Sequence, residues 1–186
     1  MWKGNDLMDM TLETKKDITA DMLAGATTRN TMKWLEGAGF YTAPASKGHH
    51  GAHEGALFEH SLQVAEELIK LTAKLGLKWE RRESPGIVGL LHDVCKLDDY
   101  VLKETEEGTE VDWNRERIWP GHGSKSLIML MGHIELTEEE KMCIMYHMGA
   151  YTDSKEWEFY SRAVKKYPNV LYTHTADMIA AHIKGV

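Results

Sequence analysis

Apolar residues recur at three- and four-residue steps along most of the chain, the spacing of one face of an α-helix. The clearest run covers residues 54–75, where Leu57, Val64, Leu68, Leu71 and Leu75 form one stripe and Gly76 marks the stop. Ahead of it, residues 6–24 and 28–36 predict two N-terminal helices, the second closed by Gly37-Ala38-Gly39. Residues 40–53 read as a loop rich in Gly, Ser and His, with Pro44 inside it. Ser84-Pro85 reads as an N-cap and a first helical position. The helix it opens, Gly86 to about Leu97, is apolar nearly all round (Ile87, Val88, Leu90, Leu91, Val94, Cys95, Leu97). Such a helix belongs at the centre of a fold.

Residues 123–133 predict a further helix, and Thr137-Glu138-Glu139-Glu140 is a capping box for one running to Met148. Residues 155–166 predict another, and Pro168-Asn169 starts the last, to about Lys184. Between these lie Tyr100-Val101-Leu102, the acidic Glu106-Glu107-Gly108-Thr109, and Val111-Asp112-Trp113, the pattern of a short hairpin over residues 100–113. The expectation is an all-α fold, a single helical bundle with that hairpin added.

Composition narrows the picture. A chain of 186 residues makes about one domain and can bury a core without disulfides or zinc. Its net charge of −7 argues against a general nucleic-acid or anionic-membrane binder, though not against a small positive pocket. Cys95 and Cys143 are the only cysteines and form no CxxC, which excludes a disulfide scaffold and favours a reduced, cytoplasmic chain. No apolar run approaches the ~18 residues of a membrane span, and Met1-Trp2-Lys3-Gly4-Asn5-Asp6 lacks the build of a signal peptide. Ten histidines in so thiol-poor a chain direct attention to His/Asp metal chemistry.

Five places carry polar groups where the pattern demands apolar ones. His92 and Asp93 sit in the middle of the most buried helix, and a carboxylate is rarely buried without a partner. The plain alternative there is an intrahelical pair with Lys96, three residues from Asp93 and four from His92. His60 is core-facing, three residues after Leu57 and four before Val64. His147 lies in Met142-Cys143-Ile144-Met145-Tyr146-His147-Met148, and Asp177 in Ala176-Asp177-Met178-Ile179-Ala180-Ala181. His122 stands between two glycines before a helix. Each alone reads as a hydrogen-bonded core residue. Burying all of them separately would cost kilocalories apiece, whereas convergence on a metal satisfies them together. Imidazole and carboxylate suit Mn, Fe, Co, Ni or Zn.

The ordered pattern Glu59-His60-Ser61-Leu62, Leu90-Leu91-His92-Asp93-Val94-Cys95-Lys96, Gly121-His122-Gly123, His147 and Thr175-Ala176-Asp177-Met178 resembles the HD-domain superfamily of metal-dependent phosphohydrolases. The resemblance covers about residues 43–182 and implies one HD domain over residues 1–186. It implies that His60, His92, Asp93 and Asp177 ligate a first divalent transition metal. His122 and His147 match the histidines of a two-metal branch in which the aspartate of the HD pair bridges both ions, so one or two ions per chain are expected. Lys96 matches a lysine that contacts substrate phosphate, and its helical phase also puts it on the metal face. The stretch Ala45-Ser46-Lys47-Gly48-His49-His50-Gly51-Ala52 resembles a loop of HD exoribonucleases that places a histidine, here His50, near the metals. Asp93, Lys96 and His50 are thus the catalytic candidates, and Lys96 and His50 the substrate-binding ones.

Those exoribonucleases usually carry a separate nucleic-acid-binding domain, for which no counterpart is expected here. Together with the acidic charge, this ranks a phosphoester of a small nucleotide or related phosphorylated metabolite above extended nucleic acid. A phosphodiesterase or 3′-end exonuclease acting on oligonucleotides or cyclic nucleotides is one alternative. A non-catalytic nucleotide-binding HD module is the other. His49, His53, His133, His174 and His182 read as loop, surface or outer residues, with His174 best placed because it lies three before Asp177. Trp113, Trp119 and Tyr151 stand in or beside loops, where one could stack on a base. Met1, Met8, Met10 and Met22 would pack on the core or on a second copy in a homo-oligomer; no membrane partner is expected.

Overall fold

A computed structural model describes residues 10–28, 30–48, 51–106 and 108–185. Helices α1 (Leu12–Met22) and α2 (Thr31–Gly37) precede the long α3 (Ala56–Leu75) and the short α4 (Ser84–Leu91) and α5 (Lys96–Asp99). Strands β1 (Tyr100–Thr105) and β2 (Gly108–Trp113) follow, then α6 (Gly123–Leu130) and α7 (Glu138–Met145). Two 3₁₀ turns, Gly149–Tyr151 and Ser154–Glu156, lead to α8 (Trp157–Lys166) and α9 (Asn169–Met178), which continues as a π-helical turn, Ile179–Lys184. The fold is mainly α. Its two strands pair antiparallel with Tyr100 opposite Trp113 and Leu102 opposite Val111, the hairpin expected from the sequence.

α3 packs on α4 and α9, and α7 packs on α6 and α9. Leu57, Leu62, Leu68, Leu90, Leu91, Val94, Ile144, Val170 and Ala180 fill the space between them. Two contacts bring backbones unusually close. A Cβ on Gly89 would fall 2.3 Å from Ala65 Cα, and one on Gly123 would fall 2.1 Å from the carbonyl oxygen of Met145. Only glycine permits either crossing, and each lies beside a pair of the histidines singled out above.

The capping box forms: Glu140 N–H donates to Thr137 Oγ1 at 3.2 Å and Thr137 N–H donates to Glu140 Oε2 at 2.9 Å. Glu140 does more than cap. Fully buried, it also accepts from Arg81 Nε at 2.7 Å, Arg81 Nη2 at 2.6 Å and Ser84 Oγ at 2.7 Å. Ser84 is therefore not the N-cap of α4; Glu83 holds that place and Ser84 is already helical.

Several predicted boundaries move. α1 begins after an N-cap at Thr11, and residues 6–9 lie outside the described residues, as do Met1 and Met8. α6 ends at Leu130 rather than 133, and α7 at Met145 rather than Met148, leaving His147 just beyond the helix. The main correction concerns the buried helix expected over residues 86–97, which stops at Leu91. Cys95 N–H donates to Ser126 Oγ of α6 at 3.1 Å instead of to its own helix. Val94, Lys96, Leu97 and Asp98 then donate three residues back, at 3.0–3.4 Å. This tighter, 3₁₀-like turn carries His92-Asp93. Among the described residues, no helix is long and apolar enough to cross a membrane.

Candidate metal centre

Five separate segments deliver the predicted donors. α3 carries His60, the turn after α4 carries His92 and Asp93, His122 is the N-cap of α6, His147 follows α7, and Asp177 lies on α9. All six converge. Ring centroids of His60 and His92 are 5.3 Å apart, those of His92 and His147 4.8 Å, and those of His122 and His147 5.1 Å. The Gly89–Ala65 crossing joins the segments that carry the first of these pairs, and the Gly123–Met145 contact those that carry the last.

Asp93 divides the cluster. Its Oδ2 lies 3.6 Å from His60 Nε2 and 3.5 Å from His92 Nε2, while Oδ1 lies 2.7 Å from His122 Nε2 and 3.3 Å from His147 Nε2. Asp177 Oδ1 stands 3.1 Å from His60 Nε2 and 3.8 Å from His92 Nε2. His92 Nδ1 donates to the Gly89 carbonyl at 2.8 Å and His147 Nδ1 to the Ile144 carbonyl at 2.7 Å. Those bonds fix the rings so that Nε2 faces the cluster, the outer-sphere arrangement typical of metal-binding histidines. Both Nε2 atoms are buried and make no well-formed hydrogen bond among the described residues. A buried nitrogen lone pair aimed at carboxylates fits a cation. Three overlapping sets could hold one, each with donor atoms within 4.8 Å of one another: His60-His92-Asp177, His92-Asp93-His147 and Asp93-Cys95-His122.

The electrostatics follow from this crowding. Burial alone would push Asp93 up, but Lys96, His92 and His122 hold it well below the ordinary carboxylate range. Asp177 is likewise lowered, as His60 and His92 outweigh its burial. His122 rises to about 11, since Asp93 and Cys95 overcome desolvation. His92 is raised by Asp93 and Asp177 against its own burial. In His147 burial wins and the imidazole is lowered.

Lys96 opens α5 with its Nζ 2.6 Å from Asp93 Oδ2, so the plain Asp–Lys pair does form, within the cluster rather than in place of it. A cleft of about 410 Å³ opens above the cluster, lined by Lys96, His122, Tyr151, Met148, Met178, His174 and His182 among others. His174 and His182, read as outer residues from sequence, both face this cleft. His174 is anchored by Nδ1 donating to the His147 carbonyl at 2.8 Å. The spacing to Asp177 was the available signal for His174. His53 pairs instead with Glu59, Nε2 to Oε2 at 3.0 Å, and His133 stacks on Trp34 at 4.3 Å. His49 and His50 lie outside the described residues. Cys95, which its apolar neighbours in sequence place in the core, stands among the donors.

Fold and site together define a mainly-α protein with a buried His/Asp cluster able to hold metal. No family model, curated protein or solved structure matches the chain.

Proposed function

We propose that the chain is a metal-dependent phosphohydrolase of the HD type, acting on a phosphoester of a small nucleotide or related phosphorylated metabolite. The observation that carries the reading is the position of Asp93, one carboxylate facing His60 and His92 through one oxygen and His122 and His147 through the other. His60, His92, Asp93 and Asp177 would hold a first divalent ion, and Asp93, His122 and His147 a second. When bound, such ions polarise phosphoryl oxygens and make water nucleophilic near neutral pH.

The chain's own groups do the rest. Lys96, partly buried and held by Asp93, donates to the phosphoryl oxygens as negative charge grows on them. His174 and His182 supply imidazoles in the same cleft for binding phosphate or protonating the departing oxygen. The cleft's volume is that of a small-ligand site rather than a polymer groove. Tyr151, Met148 and Met178 give it an apolar side suited to a flat ring.

The test is phosphate release from a panel of nucleotides and phosphorylated metabolites, with Mn²⁺, Co²⁺ or Zn²⁺ supplied. Turnover that disappears in His92→Ala and Asp93→Ala is the expected result. A metal-loaded protein with no turnover on the panel, or variants that bind metal and turn over normally, would overturn the reading.

A further inference from the structure

Cys95 lies in the turn that carries Asp93 and is fully buried. Its Sγ is 3.4 Å from His122 Nδ1 and 3.9 Å from His122 Nε2. That Nε2 is in turn 2.7 Å from Asp93 Oδ1. From the other side His147 Nε2, buried and without a well-formed hydrogen bond among the described residues, approaches the same oxygen at 3.3 Å. Zinc bonds of about 2.3 Å to sulfur and 2.0–2.1 Å to nitrogen put tetrahedral donors roughly 3.3–3.6 Å apart. His122 Nε2 to Asp93 Oδ1 at 2.7 Å, His147 Nε2 to Asp93 Oδ1 at 3.3 Å and Cys95 Sγ to His122 Nε2 at 3.9 Å bracket that spacing, and Asp93, Cys95 and His122 offer donor atoms all within 4.8 Å of one another. The backbone has already committed to this placement: Cys95 N–H leaves its helix for Ser126 Oγ, which fixes where the side chain starts.

We propose that Cys95 is itself a ligand of the second cation, adding sulfur to the nitrogen and oxygen that His122 and Asp93 supply. The inference rests on the metal reading above and adds a donor that reading does not contain. On coordination the sulfur binds as thiolate and its proton goes to solvent. A thiolate favours Zn²⁺ over Mg²⁺, Ca²⁺ or Mn²⁺, whereas carboxylate and imidazole alone accept the harder ions. The two positions are therefore unequal. His60, His92 and Asp177 make a nitrogen and oxygen site open to several metals, and the side holding Cys95 is selective for zinc.

Full-length protein saturated with Co²⁺, its content measured by elemental analysis, reads the ligand directly. Wild type and Cys143→Ser should show a near-ultraviolet thiolate-to-cobalt charge-transfer band. Cys95→Ser, checked for folding by circular dichroism, should lack it while still binding cobalt at His60, His92 and Asp177. Zinc competition should show the Cys95→Ser second position weakened at least about tenfold, as losses around a metal site typically do. Bound cobalt without a band, or a band that survives in Cys95→Ser, overturns the assignment and leaves the phosphohydrolase reading standing. Failure to bind any cobalt overturns both.

Discussion

Glu140→Gln tests how α4 and α7, the helices that lead into His92 and His147, are held together. The Glu140 carboxylate is fully buried and accepts four hydrogen bonds, two from Arg81, one from Ser84 Oγ and one from Thr137 N–H. Arg81 also donates to the carbonyls of Gly25 at 2.9 Å and Glu135 at 2.7 Å, which keeps its guanidinium in place if the carboxylate is lost. The amide of Gln keeps the shape but removes the charge and points N–H groups at donors. Breaking a buried ion pair on one side costs about 3–5 kcal/mol, because the remaining charge stays desolvated. The Arg81 side chain is 20% exposed, which favours the lower half of that range. For a chain of this length each kcal/mol moves Tm by about 2–4 °C, so a fall of roughly 6–16 °C is expected. Urea unfolding followed by circular dichroism gives the free energy. The double variant Arg81→Met/Glu140→Leu should lose less than the sum of its single changes. A loss below about 1 kcal/mol for Glu140→Gln, the size of an exposed pair, or additivity within about 0.5 kcal/mol, would refute the reasoning.

Four further outcomes are expected. Mn²⁺ or Zn²⁺ at one hundred times its Kd should stabilise the fold by about 2.7 kcal/mol, a clear rise in Tm by scanning fluorimetry; Asp93→Asn should flatten it, and a shift that persists removes Asp93 from the shared position. Lys96→Met should lower kcat by about 10²–10³ with metal content unchanged, the loss typical of a group that meets transition-state charge; an effect on KM alone would confine Lys96 to binding. Lys125, fully buried with its Nζ 2.6 Å from Asp98 and 2.9 Å from Asp99, ties α6 to α5, so Lys125→Met should cost about 1.5–3 kcal/mol by denaturant midpoint; no change would show that solvent serves those carboxylates equally well. Glu67 is lowered because Lys184 and Lys70 outweigh its burial, so its contribution is present above the ordinary Glu pKa of about 4.3 and is lost as pH falls through the lower folded value. The stability gap between wild type and Glu67→Gln should narrow on acidification, and a gap constant with pH would sink that account.

What the sequence made legible, and what it hid, divides along the range of the forces involved. α3 could be read because one apolar stripe decides it, and the hairpin because its turn chemistry is local. Five of the six donors could be read because each is a polar group in an apolar run, an arrangement too costly to repeat by chance, while His122 stood out only by its place between two glycines ahead of a helix. The break after Leu91 was not legible as a break, because the polar pair His92-Asp93 there fits a continuing helix equally well. Ser126 takes the Cys95 N–H from 31 residues away, and Val94, Cys95 and Leu97 carry the apolar pattern on beyond the polar pair. Cys95 was hidden for the same reason, since a buried thiol and a small core residue look alike in sequence. His182 was hidden by geometry. It stands five residues after Asp177, off the face that α-helical spacing assigns, but the π turn Ile179–Lys184, bonded one residue wider, lets residues five apart stack. Lys184 anchors that turn to α3, pairing with Glu67 and donating to Gln63 Oε1 at 2.8 Å. These two departures from regular α-helix fall at the cluster, one at Asp93 and one just after Asp177. A straight helix through residues 86–97 would keep Cys95 N–H on its own carbonyls and release the link to α6, which bears His122. The irregular backbone is thus part of what brings the donors together, and helix periodicity alone could not have placed it.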